Sequence, residues 1–390
     1  METRDPKRRR VACSSWSHLP TDILIDVASK HVTSAATYTT LRSVCRSWRA
    51  ALPATVPRPH RLPPQLPFLL RFPHSPHNPA GQAFSLTANR TFTLRHLADA
   101  HESVCVGSCY GWLLLLDPGY NLILRNPFTG DTIRLPPLPM SAICSHKDKL
   151  PPDQRLIVYR AILSSDPSAD RDFLVVLFTT TSVFRCCTWQ NGDNFWTVRE
   201  PPSFYFDDII FYEDRRCIAI TYKGGCMIFD FATANGGDGF FTKVPDLPVL
   251  GSLFLVESAG NEWLVVVRTT TSREDEVEIF RLDLSGLPDE ITAVSECGDL
   301  GGQILFLEKG NSMSVASTHF PGFEGDSIYF TKMKRPILTS SRDNSTVIIW
   351  KCQIKNGIAH PCSVEFECGV YSLWPKFWWL PPNIHEKLGE

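Results

Sequence analysis

The sequence predicts a mainly β protein: a small N-terminal helical unit followed by a β-propeller of about six blades. Three observations carry that expectation. A helical period is confined to the first fifty or so residues and ends at a proline-rich break. From about residue 83 onward, short apolar runs alternate with turn residues. On that pattern sits a weak repeat of Gly-Asp steps at Gly130-Asp131, Gly192-Asp193 and Gly237-Asp238, with Gly286 as a fourth turn. The glycines stand 62, 45 and 49 residues apart, close to the ~40–50 residues of a four-stranded blade.

Residues 1–15 read as a disordered tail holding the basic cluster Lys7-Arg8-Arg9-Arg10. Such a run suits a solvated tail, a nuclear-import signal or a phosphate contact. The helical unit spans 16–52. Pro20 suits a first helical turn and Asp22 adds negative charge near the helix start. Ile23, Leu24, Val27 and Ala28 share one stripe, and Thr33 to Thr40 forms a polar break. A second helix is expected from Leu41, Val44, Cys45, Trp48 and Leu52, whose offsets follow a 3.6-residue period, and Pro53 ends it.

Nine prolines from Pro53 to Pro79 exclude helix and central strand through most of 53–80, which reads as a stiff connector. Its Leu66-Pro67-Phe68-Leu69-Leu70 core is apolar enough for an edge strand and would be the first of the propeller. The propeller proper is expected over 81–382, with 383–390 as a tail. Four blades can be paced from Val104 to about Val294, and strands at both ends supply roughly two more. Most of the Trp and Phe are expected between blades, and the run Trp374-Pro375-Lys376-Phe377-Trp378-Trp379 is placed to close the ring against the first blade.

Composition narrows the function classes. A formal net charge of −2 gives no whole-molecule attraction to nucleic acid or anionic membrane. No apolar run approaches the ~18 residues of a membrane helix, and the N-terminus has no apolar signal core. Thirteen cysteines, an odd number scattered through apolar runs, suit reduced buried thiols in cytosol or nucleus better than a disulfide framework. The nucleophile-elbow, zinc-protease, P-loop and dinucleotide motifs are missing from the sequence. His360, Cys362 and Cys368 match no zinc spacing, and Cys105 and Cys109 read as buried thiols on either side of a turn. No catalytic residue, cofactor or metal is expected.

A helical unit of this size sits below the ~40 residues at which independent folding becomes difficult. Its apolar residues therefore suggest a surface for a partner. Leu19-Pro20 with Ile23, Leu24 and Val27, then Val44-Cys45-Arg46-Ser47-Trp48-Arg49, resembles the F-box over about 37 residues. It departs from that family in the middle, at Lys30-His31-Val32 and the Thr/Ala-rich stretch after it. The remainder, roughly 62–382, resembles the KIB-type β-propeller that follows an F-box in a plant family. The residues that carry this are Cys105-Val106-Gly107-Ser108, Gly111-Trp112-Leu113 and Asn126-Pro127-Phe128-Thr129-Gly130. Further on come Ile304-Leu305-Phe306-Leu307, Ser312-Met313-Ser314-Val315, Phe320-Pro321-Gly322-Phe323 and Gly325-Asp326-Ser327-Ile328-Tyr329-Phe330.

The resemblance implies a substrate receptor of an SCF-type ubiquitin ligase, non-catalytic itself. Its F-box would bind a Skp-type adaptor and through it a cullin; the propeller would bind a target protein. The adaptor-binding residues expected are Leu19, Pro20, Ile23, Leu24, Val27, Leu41, Val44, Cys45 and Trp48, with Trp48 as the anchor. Target contacts are expected on loops of one propeller face, with Asp207-Asp208, Arg215-Arg216 and Arg273-Glu274-Asp275-Glu276 as candidates. The alternative is a propeller enzyme or ligand-binding protein whose N-terminal helices act as a lid, marked by carboxylates or histidines converging at the axis. A nucleic-acid role through Lys7–Arg10 is the remaining option and is not expected.

Overall fold

The computed structural model describes residues 16–32, 35–52, 66–72, 81–100, 103–143, 157–180, 184–200, 206–213, 215–221, 225–232, 240–243, 247, 251–270, 275–286, 293–334, 345–356, 359–368 and 378–379. The basic tail, 53–65 and 73–80 of the proline-rich stretch, and the residues from 380 onward lie outside these. The chain divides into two compact units, Met1–Gln65 and Leu66–Glu390.

The first unit has three helices: α1 (Thr21–His31), α2 (Ala35–Val44) and α3 (Arg46–Ala51). Pro20 precedes α1 with φ −54°, and its carbonyl accepts the first helical bond from Leu24 N at 3.0 Å. Asp22 in the first turn and Lys30 and His31 in the last complement the helix dipole. The expected second helix proves to be two. α2 begins at Ala35, inside the polar break, and Cys45 is extended at φ −157° and ψ 174°. Cys45 thereby caps α3, accepting Arg49 N at 3.0 Å on its carbonyl, while its Sγ meets Ser47 Oγ at 3.0 Å. The three helices enclose Leu24, Ala28, Val32, Tyr38, Trp48 and Leu52.

The second unit is a six-sheet ring. Blade two pairs Val104–Cys109, Trp112–Leu116, Leu122–Arg125 and Thr132–Arg134 in order. Blade three pairs Ile157–Leu163, Leu174–Thr180, Phe184–Gln190 and Thr197–Arg199. Blade four holds Phe206–Glu213, Arg216–Thr221, Gly225–Asp230 and Phe240–Lys243; blade five holds Ser252–Glu257, Trp263–Thr270, Asp275–Asp283 and Ala293–Glu296. The first strands of these blades lie against one another, so they form the inner wall. Gly130-Asp131, Gly192-Asp193 and Gly286 fall between the third and fourth strands of their blades, while Gly237-Asp238 lies outside the described residues. A one-turn helix, α4 (Met140–Ile143), follows blade two.

Blades one and six depart from this plan. Blade one takes its inner strand, Trp378–Trp379, from the far end of the chain, and Phe68–Arg71, Gly81–Ser85 and Arg90–Leu94 complete it. Trp378 stands opposite Leu69 and Trp379 opposite Phe68, which closes the ring. Phe68–Arg71 is therefore paired on both sides and not an edge strand, since the C-terminal segment supplies the missing neighbour. Blade six has five strands in the order Met313–Ala316, Gln303–Leu307, Ser327–Lys334, Ser345–Gln353 and Ala359–Cys368. Its Gln303–Leu307 and Ser327–Lys334 strands run parallel, so the hairpin ending at Ala316 folds inward.

Apolar side chains fill the spaces between blades, with one cluster at each of the successive junctions from two–three through six–one. Phe68 reaches Phe128 at 5.9 Å across the one–two junction. Trp112, Trp189 and Trp196 are buried between blades two and three, and each indole nitrogen finds an acceptor. The Asn126–Gly130 turn has a local cause. Asn126 Oδ1 accepts Phe128 N and Thr129 N at 3.0 and 3.1 Å, and Gly130 takes φ +82° where a Cβ would strike His96.

Candidate functional site

The helical unit exposes apolar surface. Ile23 is 46%, Val27 42%, Val44 52% and Trp16 75% exposed. Ile23 and Val27 are one turn apart on the outer edge of the α1 stripe, beside Leu24 and Ala28, which face the core. Leu19, Leu41 and Cys45 are half-buried against that core, and Pro20 is exposed. Cys45 has its thiol lowered chiefly by the Ser47 hydroxyl.

Trp48 sits elsewhere than expected. It is buried in the unit's own core, and its Nε1 donates to the Trp16 carbonyl at 2.9 Å. Leu24 is 2% exposed, so it too is scaffold. The period that groups Leu24 with Ile23 and Val27 spans an arc wide enough to serve both an internal core and an outer face. Trp16 lies in a 3-10 turn ahead of α1, outside any helical period, so periodicity does not mark its exposed indole.

A second candidate lies around the propeller axis. The inner strands of blades two, three and four each carry a bulge, between Cys105 and Gly107, Val158 and Arg160, and Phe206 and Asp208. Asp208 is fully buried. Its Oδ1 accepts Ile209 N at 3.0 Å and Gly310 N at 2.5 Å, and its Oδ2 accepts Leu255 N at 2.9 Å. Asp207 takes Lys309 Nζ at 2.7 Å and Leu253 N at 3.2 Å. Arg160 donates to the Lys309 carbonyl and packs under Gly310, where φ is +72° and a Cβ would sit 2.4 Å from Arg160 Cδ. The Glu308–Gly310 turn of blade six thus binds blades three, four and five together.

Burial pushes the Asp208 carboxyl up to about 6, with Arg160 pulling against it. Glu308 keeps some accessible surface yet lies deep among protein atoms, and burial raises it to about 7 against the opposing pull of Arg160 and Arg268. These carboxylates converge as an axial enzyme site would require. The acceptors of Asp207 and Asp208, however, are engaged by the chain's own donors, so the arrangement fastens blades. Among the described residues no group of three His, Cys, Asp or Glu is placed to hold a metal.

The acidic and basic pairs read as solvent loops are placed differently. Asp207-Asp208 lies on the inner strand of blade four and Asp275 is 1% exposed at the start of a blade-five strand, ion-paired with Lys332. Their partners are as much as 102 residues away, so no local signal marks them as buried. Arg215 does sit in a turn and Arg216 opens the strand that follows, bonded to Asp172 and Asp230 respectively at 2.8 Å each. Arg273 and Glu274 lie outside the described residues. Cys105 and Cys109 share one strand, and both are free thiols, as are Cys45, Cys186, Cys187, Cys217, Cys226, Cys297, Cys352 and Cys362. No described helix is long and apolar enough to cross a membrane.

Comparison with known proteins bears on both units. The KIB1-4 beta-propeller family model matches residues 83–372. At4g22180 of Arabidopsis thaliana, which carries an F-box name, is 34% identical and is covered over 97% of its length by 97% of this chain. At4g22170 of the same plant, also named as an F-box protein, is 32% identical over 81% of this chain and 84% of its own. Among solved structures, a TolB-like protein from Agrobacterium tumefaciens aligns at TM-score 0.39 and 11% identity, over 80% of this chain and 92% of that one. The chain belongs to the KIB1-4 β-propeller family, among the plant F-box proteins that carry this propeller at their C-terminal end.

Proposed function

We propose that the chain is a non-catalytic substrate receptor of an SCF-type E3 ubiquitin ligase, acting in cytosol or nucleus. Its helical unit binds a Skp-type adaptor, and through it a cullin, while its propeller holds the target protein for ubiquitin transfer by other subunits. The observation that supports this reading is the exposure of Ile23, Val27 and Val44 on a helical unit whose own core is already complete. Burying a side chain of this class contributes ~1.5–3 kcal/mol, so two or three such residues suffice to anchor a partner helix. Cytosolic or nuclear residence rests on the free, mostly buried cysteines.

The test is capture of a purified Skp-type adaptor by the full chain and by its Ile23→Asp/Val44→Asp variant. Both positions are exposed, so the helices keep their fold by far-ultraviolet circular dichroism. Capture is expected to weaken by about a hundredfold, the equivalent of two lost apolar contacts. Equal capture by the two proteins would remove the adaptor reading.

A further inference from the structure

Charge is spread unevenly along this chain. From Val27 to Ala98 the sequence holds nine Lys and Arg and no Asp or Glu. From Asp99 onward the balance reverses, with 37 acidic residues against 25 basic ones. Within the propeller, the acid-free stretch supplies Phe68–Arg71, Gly81–Ser85 and Arg90–Leu94 of blade one and the Arg95–Leu97 turn after them. Blade one is therefore a basic sector on an otherwise acidic ring.

The cations of this sector are arginines, and two of them are open. Arg90 starts the outermost strand and Arg95 follows its last residue, about 17 Å further on at ~3.4 Å per residue. Both are exposed. Arg90 lies over the Phe92 ring at 4.5 Å, and among the described residues neither guanidinium meets a carboxylate. Arg125 of blade two donates to the His96 carbonyl at 3.0 Å, which sets that blade's third strand beside the turn. It also bonds Asp99 and holds that carboxyl below its usual range, with a smaller pull from the exposed Arg134. Asp131 is the second acid here, next to the Gly130 that abuts His96, and it takes the Thr129 hydroxyl at 2.5 Å. Arg90, Arg95, Arg125 and Arg134 thus outnumber Asp99 and Asp131. Elsewhere on the propeller surface, arginines carry their own acids: Arg215 with Asp172, Arg216 with Asp230 and Arg281 with Glu262.

We propose that this arginine rim holds an acidic segment of the target protein, laid in extended form along the Arg90–Leu94 strand. That strand is the outer edge of its blade and pairs with Gly81–Ser85 on its inner side. Asp or Glu side chains two residues apart on the segment point the same way and reach Arg90, Arg95 and Arg134 in turn. A planar guanidinium takes a carboxylate through two parallel bonds, a geometry that lysine does not offer. A long polyanion such as a nucleic acid suits the rim less. It would run onto the acidic remainder of the ring, where repulsion acts within a Debye length of ~8 Å. This assignment rests on the reading of the propeller as the target-binding part, and it deepens it by naming an acidic segment as the target's signature.

The probe is a set of fluorescein-labelled nonapeptide pools, degenerate except at four central positions fixed as Asp-Glu-Asp-Glu or Ser-Thr-Ser-Thr. Anisotropy with the full chain at low ionic strength is expected to show at least tenfold tighter binding of the acidic pool, weakening as salt rises. Arg95→Gln/Arg134→Gln is expected to lower that binding about fivefold, as the loss of two exposed ion pairs does. Arg171→Gln/Lys355→Gln removes the same charge from exposed positions elsewhere and should leave it within about twofold. An acidic pool that binds no better than the neutral one, or a control pair that loses as much, overturns the proposal. So does a labelled oligothymidine of nine nucleotides that binds as tightly and is lost with Arg95→Gln/Arg134→Gln, because the rim would then be a nucleic-acid site. The Ile23→Asp/Val44→Asp protein separates the two readings: it must still hold the acidic pool while losing the adaptor. If it keeps the adaptor, the ligase reading fails while the arginine rim stands or falls on its own peptide data.

Discussion

The helical unit and the propeller solve the same burial problem at different surface-to-volume ratios. Six residues make up the buried core of the helical unit, and Trp16, Ile23, Val27 and Val44 stay exposed around it. The propeller is several times longer, and among its described residues Phe195 alone is a strongly exposed large apolar side chain. A short chain cannot enclose its apolar residues, whereas a ring of stacked sheets encloses nearly all of them. The surplus on the helices is thus apolar surface left uncovered by size, whereas the propeller leaves little of it among its described residues.

The largest test of this contrast is Trp48→Ala. The indole is the largest side chain of a six-residue core and ties Trp16 to α3 through its Nε1. Removing it is expected to cost ~3–5 kcal/mol, most of what so small a unit has. Helical ellipticity and adaptor capture should both vanish while the propeller's melting transition holds. A matching fall in that transition would mean that the two units do not fold independently.

Gly107→Ala probes the other side. A Cβ at Gly107 would stand 2.0 Å from the Ala161 carbonyl oxygen, so the inner strands of blades two and three must move apart. Overpacking of this kind costs ~1–3 kcal/mol, and a rigid backbone neighbour places it at the upper end. The propeller transition is expected to fall by several degrees in calorimetry, with adaptor capture retained. An unshifted transition would show that the ring tolerates loosening at its inner wall.

The two units also differ in how far their sequences can be read. Strand alternation and the Gly-Asp steps depend on neighbours along the chain, and blades two to five run from Val104 to Glu296 much as the repeat paces them. Closure by Trp378-Trp379 is legible for the same reason, as an apolar run with no other strand to join. The sidedness of α1 is not legible, because a period locates a stripe without saying which edge meets the core. Nor is the burial of Asp208, whose donors include Gly310 N from a distant blade. Two adjacent aspartates carry a strong surface signal, and donors from the blade-six turn and the first strand of blade five override it. Cys45 shows the same limit at short range: an unbroken 3.6 period runs through it, yet its backbone is extended to cap α3.

The smallest expected effect concerns the axial carboxylates and separates the units by pH. Glu308 moves from an ordinary 4.5 to about 7 because burial penalises its charge more than Arg160 and Arg268 relieve it. Its folded value lies above its unfolded one, so the folded chain holds the extra proton between those limits. Stability from this group is therefore complete below about pH 4.5 and declines as pH rises through about 7, the reverse of an ion-paired carboxylate. Glu308→Gln cannot ionise, and it should raise the propeller transition at pH 8 by the equivalent of about 1 kcal/mol while matching the parent near pH 4.5. Asp22 and Asp26 of the helical unit are exposed, so its transition should not respond to the substitution at either pH. A variant-minus-parent difference that stays flat from pH 4.5 to 8 would show that the axial carboxyl titrates as a surface group. The Glu308–Gly310 turn would then be a loop over the opening and not a buried tie between blades.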